Sequence, residues 1–118
     1  MTPAPVKPEI DFAAFSAVDI RAGTIVGAEP VTGSEKLIRL TVDFGDHTRR
    51  ILSGIRKERP DYVALVGRQA LFVVNLKPRQ MAGELSEGML FDLGFADGLR
   101  PAPLAVPETP VPNGTRAG

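Results

Sequence analysis

Residues 37–53 read LIRLTVDFGDHTRRILS. Ile38, Leu40, Val42 and Phe44 fall on one side of an extended chain, with Arg39, Thr41 and Asp43 on the other. That period-two alternation marks a half-buried strand rather than a helix. Gly45 and Asp46 supply a turn, and His47 to Ser53 returns as a second strand. Arg49 and Arg50 are adjacent, so on a strand they point to opposite faces.

Upstream, Val18, Ile20 and Ala22 alternate. The apolar phase then slips by one to Ile25, and the slip at Gly23–Thr24 predicts a β-bulge that bends this strand. Asp11 is placed to cap a short helical turn over Phe12 to Phe15. Downstream, Asp61 to Val66 reads as a short helix after Pro60, closed by Gly67. Gln69 to Leu76 is an almost continuous apolar strand, and Gly88 to Leu93 is a fifth. The order is three strands, a short helix, then two strands. This predicts an all-β chain: a five-stranded OB-fold barrel with a short helix between strands 3 and 4 and N- and C-terminal extensions. An SH3-like barrel ranks below it.

Eight of the 11 prolines lie near the ends, at residues 3, 5, 8, 101, 103, 107, 110 and 112. Proline fixes φ and lacks a backbone donor, so these segments form neither long helices nor central strands. The expected organisation is a flexible arm over 1–9, a barrel domain over 10–98 and a Pro-rich extension over 99–118. The extension reads either as an extended strap or as a disordered tail.

The 118 residues fit one domain, and they include no Cys and one His. Disulfide and thiolate chemistry are thereby excluded, and a His-rich metal site is not available. No run of about 18 apolar residues is present, and the start lacks a signal-peptide core, so a cytoplasmic location is expected and a membrane partner is not. No base is spaced to activate a serine, and no phosphate-binding Gly-rich motif occurs. A non-catalytic protein with no cofactor and no metal is the expectation. Asp43 and Asp46 fit turn roles better than cation ligation.

The formal net charge of zero hides an asymmetry: ten Lys or Arg face four Asp or Glu between Lys36 and Arg79. Arg49, Arg50, Arg56, Lys57, Lys77 and Arg79 fall at strand ends and loops. There they offer charge-assisted contacts to phosphate oxygens, although an unevenly solvated surface gives the same count. The chain has no Trp and one Tyr. Its six phenylalanines fit core or interface positions, so a stacking platform for single strands is not indicated. RNA shape and backbone recognition fits better.

The stretches VDIRAGTIVGAEPV (18–31), SEKLIRLTVDFG (34–45), RRILSGIRK (49–57), LVGRQALFVVNLKPRQMAGELSEGML (65–90) and PVPNGTR (110–116) resemble the tRNA-binding OB-fold family. That family also includes the C-terminal domain of bacterial methionyl-tRNA synthetases and the CsaA chaperones. The resemblance implies a homodimer that binds tRNA by shape, with a synthetase as a further partner. Its binding positions map onto Lys36, Ser53, Asn75, Lys77, Arg79, Ser86 and Met89. Pro78-Arg79-Gln80 and PVPNGTR look more like CsaA, which implies the alternative of a chaperone for unfolded or export-bound polypeptide.

These positions also admit plainer readings. Ser53 and Ser86 can satisfy backbone groups at strand ends, and Asn75 can fix a turn. Met89 can fill the core. Lys36 can pair with Glu35, and Lys77 and Arg79 can belong to a solvated loop.

Overall fold

The computed structural model describes residues 2–118. A short helix α1 (Phe12–Ser16) leads into strands β1 (Ile20–Pro30), β2 (Ile38–Asp43) and β3 (Thr48–Ser53). One 3-10 turn (Tyr62–Leu65) precedes β4 (Gln69–Val73). The chain continues through β5 (Arg79–Met81), β6 (Glu84–Ser86), β7 (Met89–Leu90) and β8 (Arg116–Ala117). The antiparallel order β3-β2-β1-β4-β7 is that of the expected OB barrel. The anticipated helix between strands 3 and 4 is present as a single 3-10 turn, with Leu65 as its buried anchor.

The alternation read in residues 38–43 is realised: Ile38, Leu40 and Val42 are fully buried, and their neighbours are half-exposed. They meet Ile25, Ile51, Phe72, Leu90 and Leu104 in one core. Phe44 and Phe72 pack edge-to-face at 5.6 Å, a favoured aromatic geometry.

β1 serves both halves of the barrel. Its first residues pair with β4, and its later residues pair with β2. The bend between them is a register shift between Ile25 and Gly27, so the expected bulge exists but lies beyond Gly23–Thr24. Gly23 has another task. A Cβ there would lie 2.6 Å from Val42 Cγ1 and 2.8 Å from Phe44 Cε1. Glycine in a strand signals either a bulge or a close approach, and here it is the approach.

The barrel closes where β3 meets the segment before β7. The Glu87 amide donates to the Arg50 carbonyl at 2.9 Å, and the Leu52 amide donates to Ser86 Oγ at 3.0 Å. The Asp11 side chain makes no capping bond to α1; its backbone carbonyl accepts from Ala14 and Phe15 instead. Residues 99–118 form the strap. Leu104 enters the core and pairs with Asp92, Gln69 exchanges two hydrogen bonds with Val111, and β8 pairs with β1.

Candidate nucleic-acid interface

The segment between β4 and β7 carries Asn75, Lys77, Arg79 and Ser86, and Met89 opens β7. It contains a small hairpin, β5–β6, that the polar sequence does not announce. Ala82 and Gly83 both adopt positive φ (49° and 80°), the geometry of a tight two-residue hairpin turn. Arg39 on β2 anchors the hairpin. Its Nη1 donates to both oxygens of Glu84 at 2.9 and 2.8 Å, while Nη2 reaches Glu29 at 2.9 Å. Arg49 ties down both ends of the segment, donating through Nη1 to the Val74 and Glu87 carbonyls.

Lys77, Arg79, Ser86 and Met89 line one recess of about 160 Å³, together with Leu52, Leu76, Met81 and Gly88. Lys77 and Arg79 are exposed, and among the described residues neither has a salt-bridge partner. Met89 is 45% exposed, so it lies at the surface rather than filling the core. Ser86 is buried, and its hydroxyl accepts from Leu52 and donates to the Gly88 carbonyl at 3.1 Å. Its bonds are thus used in holding the recess together.

Asn75 lies on the far side of the same loop. Its Oδ1 accepts the Asp19 amide at 2.8 Å, and its Nδ2 donates to the Ala17 carbonyl at 2.6 Å. It fastens the segment carrying α1 to the end of β4.

A second recess, of about 430 Å³, is lined by Lys36, Gly54, Lys57, Glu58, Phe95 and Arg100. Arg100 was not a sequence candidate. Its guanidinium lies 3.7 Å from the Phe95 ring centroid and donates to the Phe95 and Leu99 carbonyls. Three cations therefore surround this recess against the single carboxylate of Glu58. That carboxylate accepts the Ala102 amide at 2.8 Å, and Arg59 donates to the Ala102 carbonyl at 2.9 Å, so this pair grips the strap. Ser53 lines neither recess; it is half-buried at the end of β3, between Leu52 of the first recess and Gly54 of the second.

Four arginine and lysine candidates on or after β3 divide into two groups. Arg50 has an exposed side chain, held only by a 4.0 Å approach to Glu84. Lys57 is likewise exposed. Arg49 is engaged with backbone, as described, and Arg56 donates to the Ser34 carbonyl at 2.7 Å, bracing the β1–β2 loop. Expected strand alternation thus separates an exposed Arg50 from a structural Arg49.

Beside Arg49 lies a third hollow, where charges balance. Arg21 donates to both oxygens of Asp19 (2.7 and 3.0 Å), which holds that carboxyl below its ordinary pKa. Asp46 is likewise held low, chiefly by its contact with His47. Asp43 accepts the Gly45 amide at 2.8 Å, a turn role. Among the described residues no group of three or more His, Asp or Glu is placed to bind a metal.

A family model described as "Putative tRNA binding domain" matches residues 20–116. The chain is similar to a MetRS-related protein from Pyrococcus horikoshii, at 34% identity and a TM-score of 0.84, over 95% of this chain and 100% of that one. It is similar to the chaperone CsaA from Bacillus anthracis at 30% identity and a TM-score of 0.77, over 94% and 100% of the two chains. A CsaA chaperone from Picrophilus torridus matches at 26% identity and a TM-score of 0.78, over 93% and 100%.

Proposed function

This chain belongs to the tRNA-binding domain family, and from that premise we propose that it binds tRNA non-catalytically, as a cytoplasmic homodimer that reads shape and backbone. The observation that carries the reading is a pair of cations without salt-bridge partners among the described residues, Lys77 in the loop after β4 and Arg79 on β5, which line one recess; Arg39 anchors the hairpin and Arg49 the loop ends. Exposed cations held on a rigid support attract phosphate oxygens and lose little order in doing so. Arg50 and the Lys36–Lys57–Arg100 cluster extend the basic surface on either side of Ser53. Asn75 and Ser86 act by positioning the loop; Lys77, Arg79 and Met89 face the ligand.

The dimer rests on α1. A five-residue helix is not stable alone, and this one buries none of its residues. Phe12 is 80% and Ile10 68% exposed, with Phe15 and Val18 beside them. Covering such a patch with a second copy gives two basic surfaces for one tRNA, with a gain in avidity. A synthetase is a fitting further partner, given the likeness to a MetRS-related protein.

A second reading, an export-related chaperone for unfolded polypeptide, draws support from the likeness to CsaA and from the exposed Leu76, Leu85 and Met89. The distinguishing experiment is a mobility shift with bulk tRNA, comparing the native chain with Lys77→Glu/Arg79→Glu. The tRNA reading expects binding to be lost while the fold stays intact. Undiminished binding by the double variant would refute the assigned site.

A further inference from the structure

The recess under Lys77 and Arg79 is not only a phosphate cradle. Leu76 (51% exposed), Met81 and Met89 form its walls, and Leu52 lies buried beneath. Its volume of about 160 Å³ is well below the 300–1,000 Å³ or so of pockets for drug-sized ligands. It matches one flat ring system. The Ser86 hydroxyl inside it is already committed to Leu52 and Gly88. The interior therefore offers apolar contact, and the rim offers cations.

We infer that this recess takes a single unstacked RNA base, while Lys77 and Arg79 hold the phosphates on either side of it. The inference rests on the tRNA reading and deepens it. A nucleobase has apolar faces and polar edges, so it can press its faces on Met and Leu while its edges stay near the rim. Methionine suits this role, because its polarizable thioether makes favourable contacts with aromatic rings. That supplies stacking in a chain whose few aromatics do not line the recess. The walls are held before binding: the Arg39–Glu84 pair fixes β5–β6, and Ser86 fixes the floor to β3. Charge decides between a base and an apolar peptide side chain. A recess lined by two cations without salt-bridge partners among the described residues complements a polyanion, and a generic unfolded polypeptide brings no such charge.

The test uses the full chain and three RNA hairpins of equal length: fully paired, carrying one bulged nucleotide, and carrying the same bulge without its base. The bulged hairpin should bind about fivefold or more tighter than the abasic one, as expected for one stacked base. In Leu76→Ala/Met89→Ala, two half-exposed positions outside the hydrophobic core cluster, that advantage should vanish. The salt dependence of paired-hairpin binding, set by Lys77 and Arg79, should be retained. Equal affinity for the bulged and abasic RNAs, with bulk tRNA still bound, would overturn the base slot and leave the tRNA reading standing. Failure to bind bulk tRNA would overturn both. If reduced, carboxymethylated lysozyme, an unfolded chain with net charge near zero, displaces the bulged RNA from the native chain but does not bind the Leu76→Ala/Met89→Ala variant, the recess is a polypeptide site and the inference is wrong.

Discussion

Ser86 and Leu52 are 34 residues apart in sequence, yet the Leu52 amide donates to Ser86 Oγ at 3.0 Å and seals the barrel between β3 and the end of β6. Ser86→Ala would leave a buried amide without an acceptor. A loss of about 1–3 kcal/mol in folding stability is expected from denaturant unfolding. The variant should still bind tRNA once folded, since the hydroxyl is occupied inside the protein. A Ser86→Ala protein of native stability would contradict this assignment.

Arg49 and Arg79 are both cations of the basic middle third, but Arg49 is bonded to the Val74 and Glu87 carbonyls while Arg79 is exposed. Arg49→Gln withdraws a donor shared by the Val74 and Glu87 carbonyls and should lower stability by about 1–3 kcal/mol. Arg79→Gln touches no such partner; its stability should stay within about 0.5 kcal/mol of native while RNA affinity falls. Paired melting and binding curves would expose a reversal of these roles.

Asn75 links the α1 segment to the barrel through Asp19 and Ala17. Asn75→Ala should leave the barrel folded but release Phe12 and Phe15 from their fixed place. Sedimentation at micromolar concentration should then show a native dimer and a variant shifted toward monomer. A native monomer would remove the dimer from the proposal.

Acid stability offers a test that involves no RNA. Arg21 holds the Asp19 carboxyl below its ordinary pKa. A depressed folded-state value stabilises the fold above the unfolded pKa, about 3.9, and that contribution is lost as pH falls through the folded value. Arg21→Gln should therefore flatten the decline of stability below about pH 4, measured by urea unfolding across the acid range. An unchanged acid profile would mean that the pair contributes nothing.

The fold was largely legible because its strands alternate. Residues 38–43 give their inward face directly, and the strand–strand–strand–turn–strand–strand order follows from local pattern. Legibility failed where one signal has two causes. Gly23 reads as a bulge, but its missing Cβ makes room for Val42 and Phe44, and the bulge falls at Val26. The β5–β6 hairpin escaped notice because three-residue strands are too short for a period and its turn is Ala-Gly rather than Asn-Gly. In the candidate site, residue type was visible and engagement was not. Nothing local distinguishes Arg49 from Arg50 except which face of β3 meets the loop ends. Arg100 was hidden by distance: it sits beside Pro101, far along the chain from Lys36 and Lys57, and lies over the Phe95 ring in the recess they share.

The central claim is that an unpaired basic surface holds tRNA phosphates, so the most direct measurement is the affinity for bulk tRNA at two salt concentrations. Four to six phosphate contacts would release enough counterions to weaken binding about 100- to 1,000-fold between roughly 50 and 200 mM salt. Lys77→Glu/Arg79→Glu should flatten that dependence. No binding at the lower salt, or binding indifferent to salt, would contradict the claim.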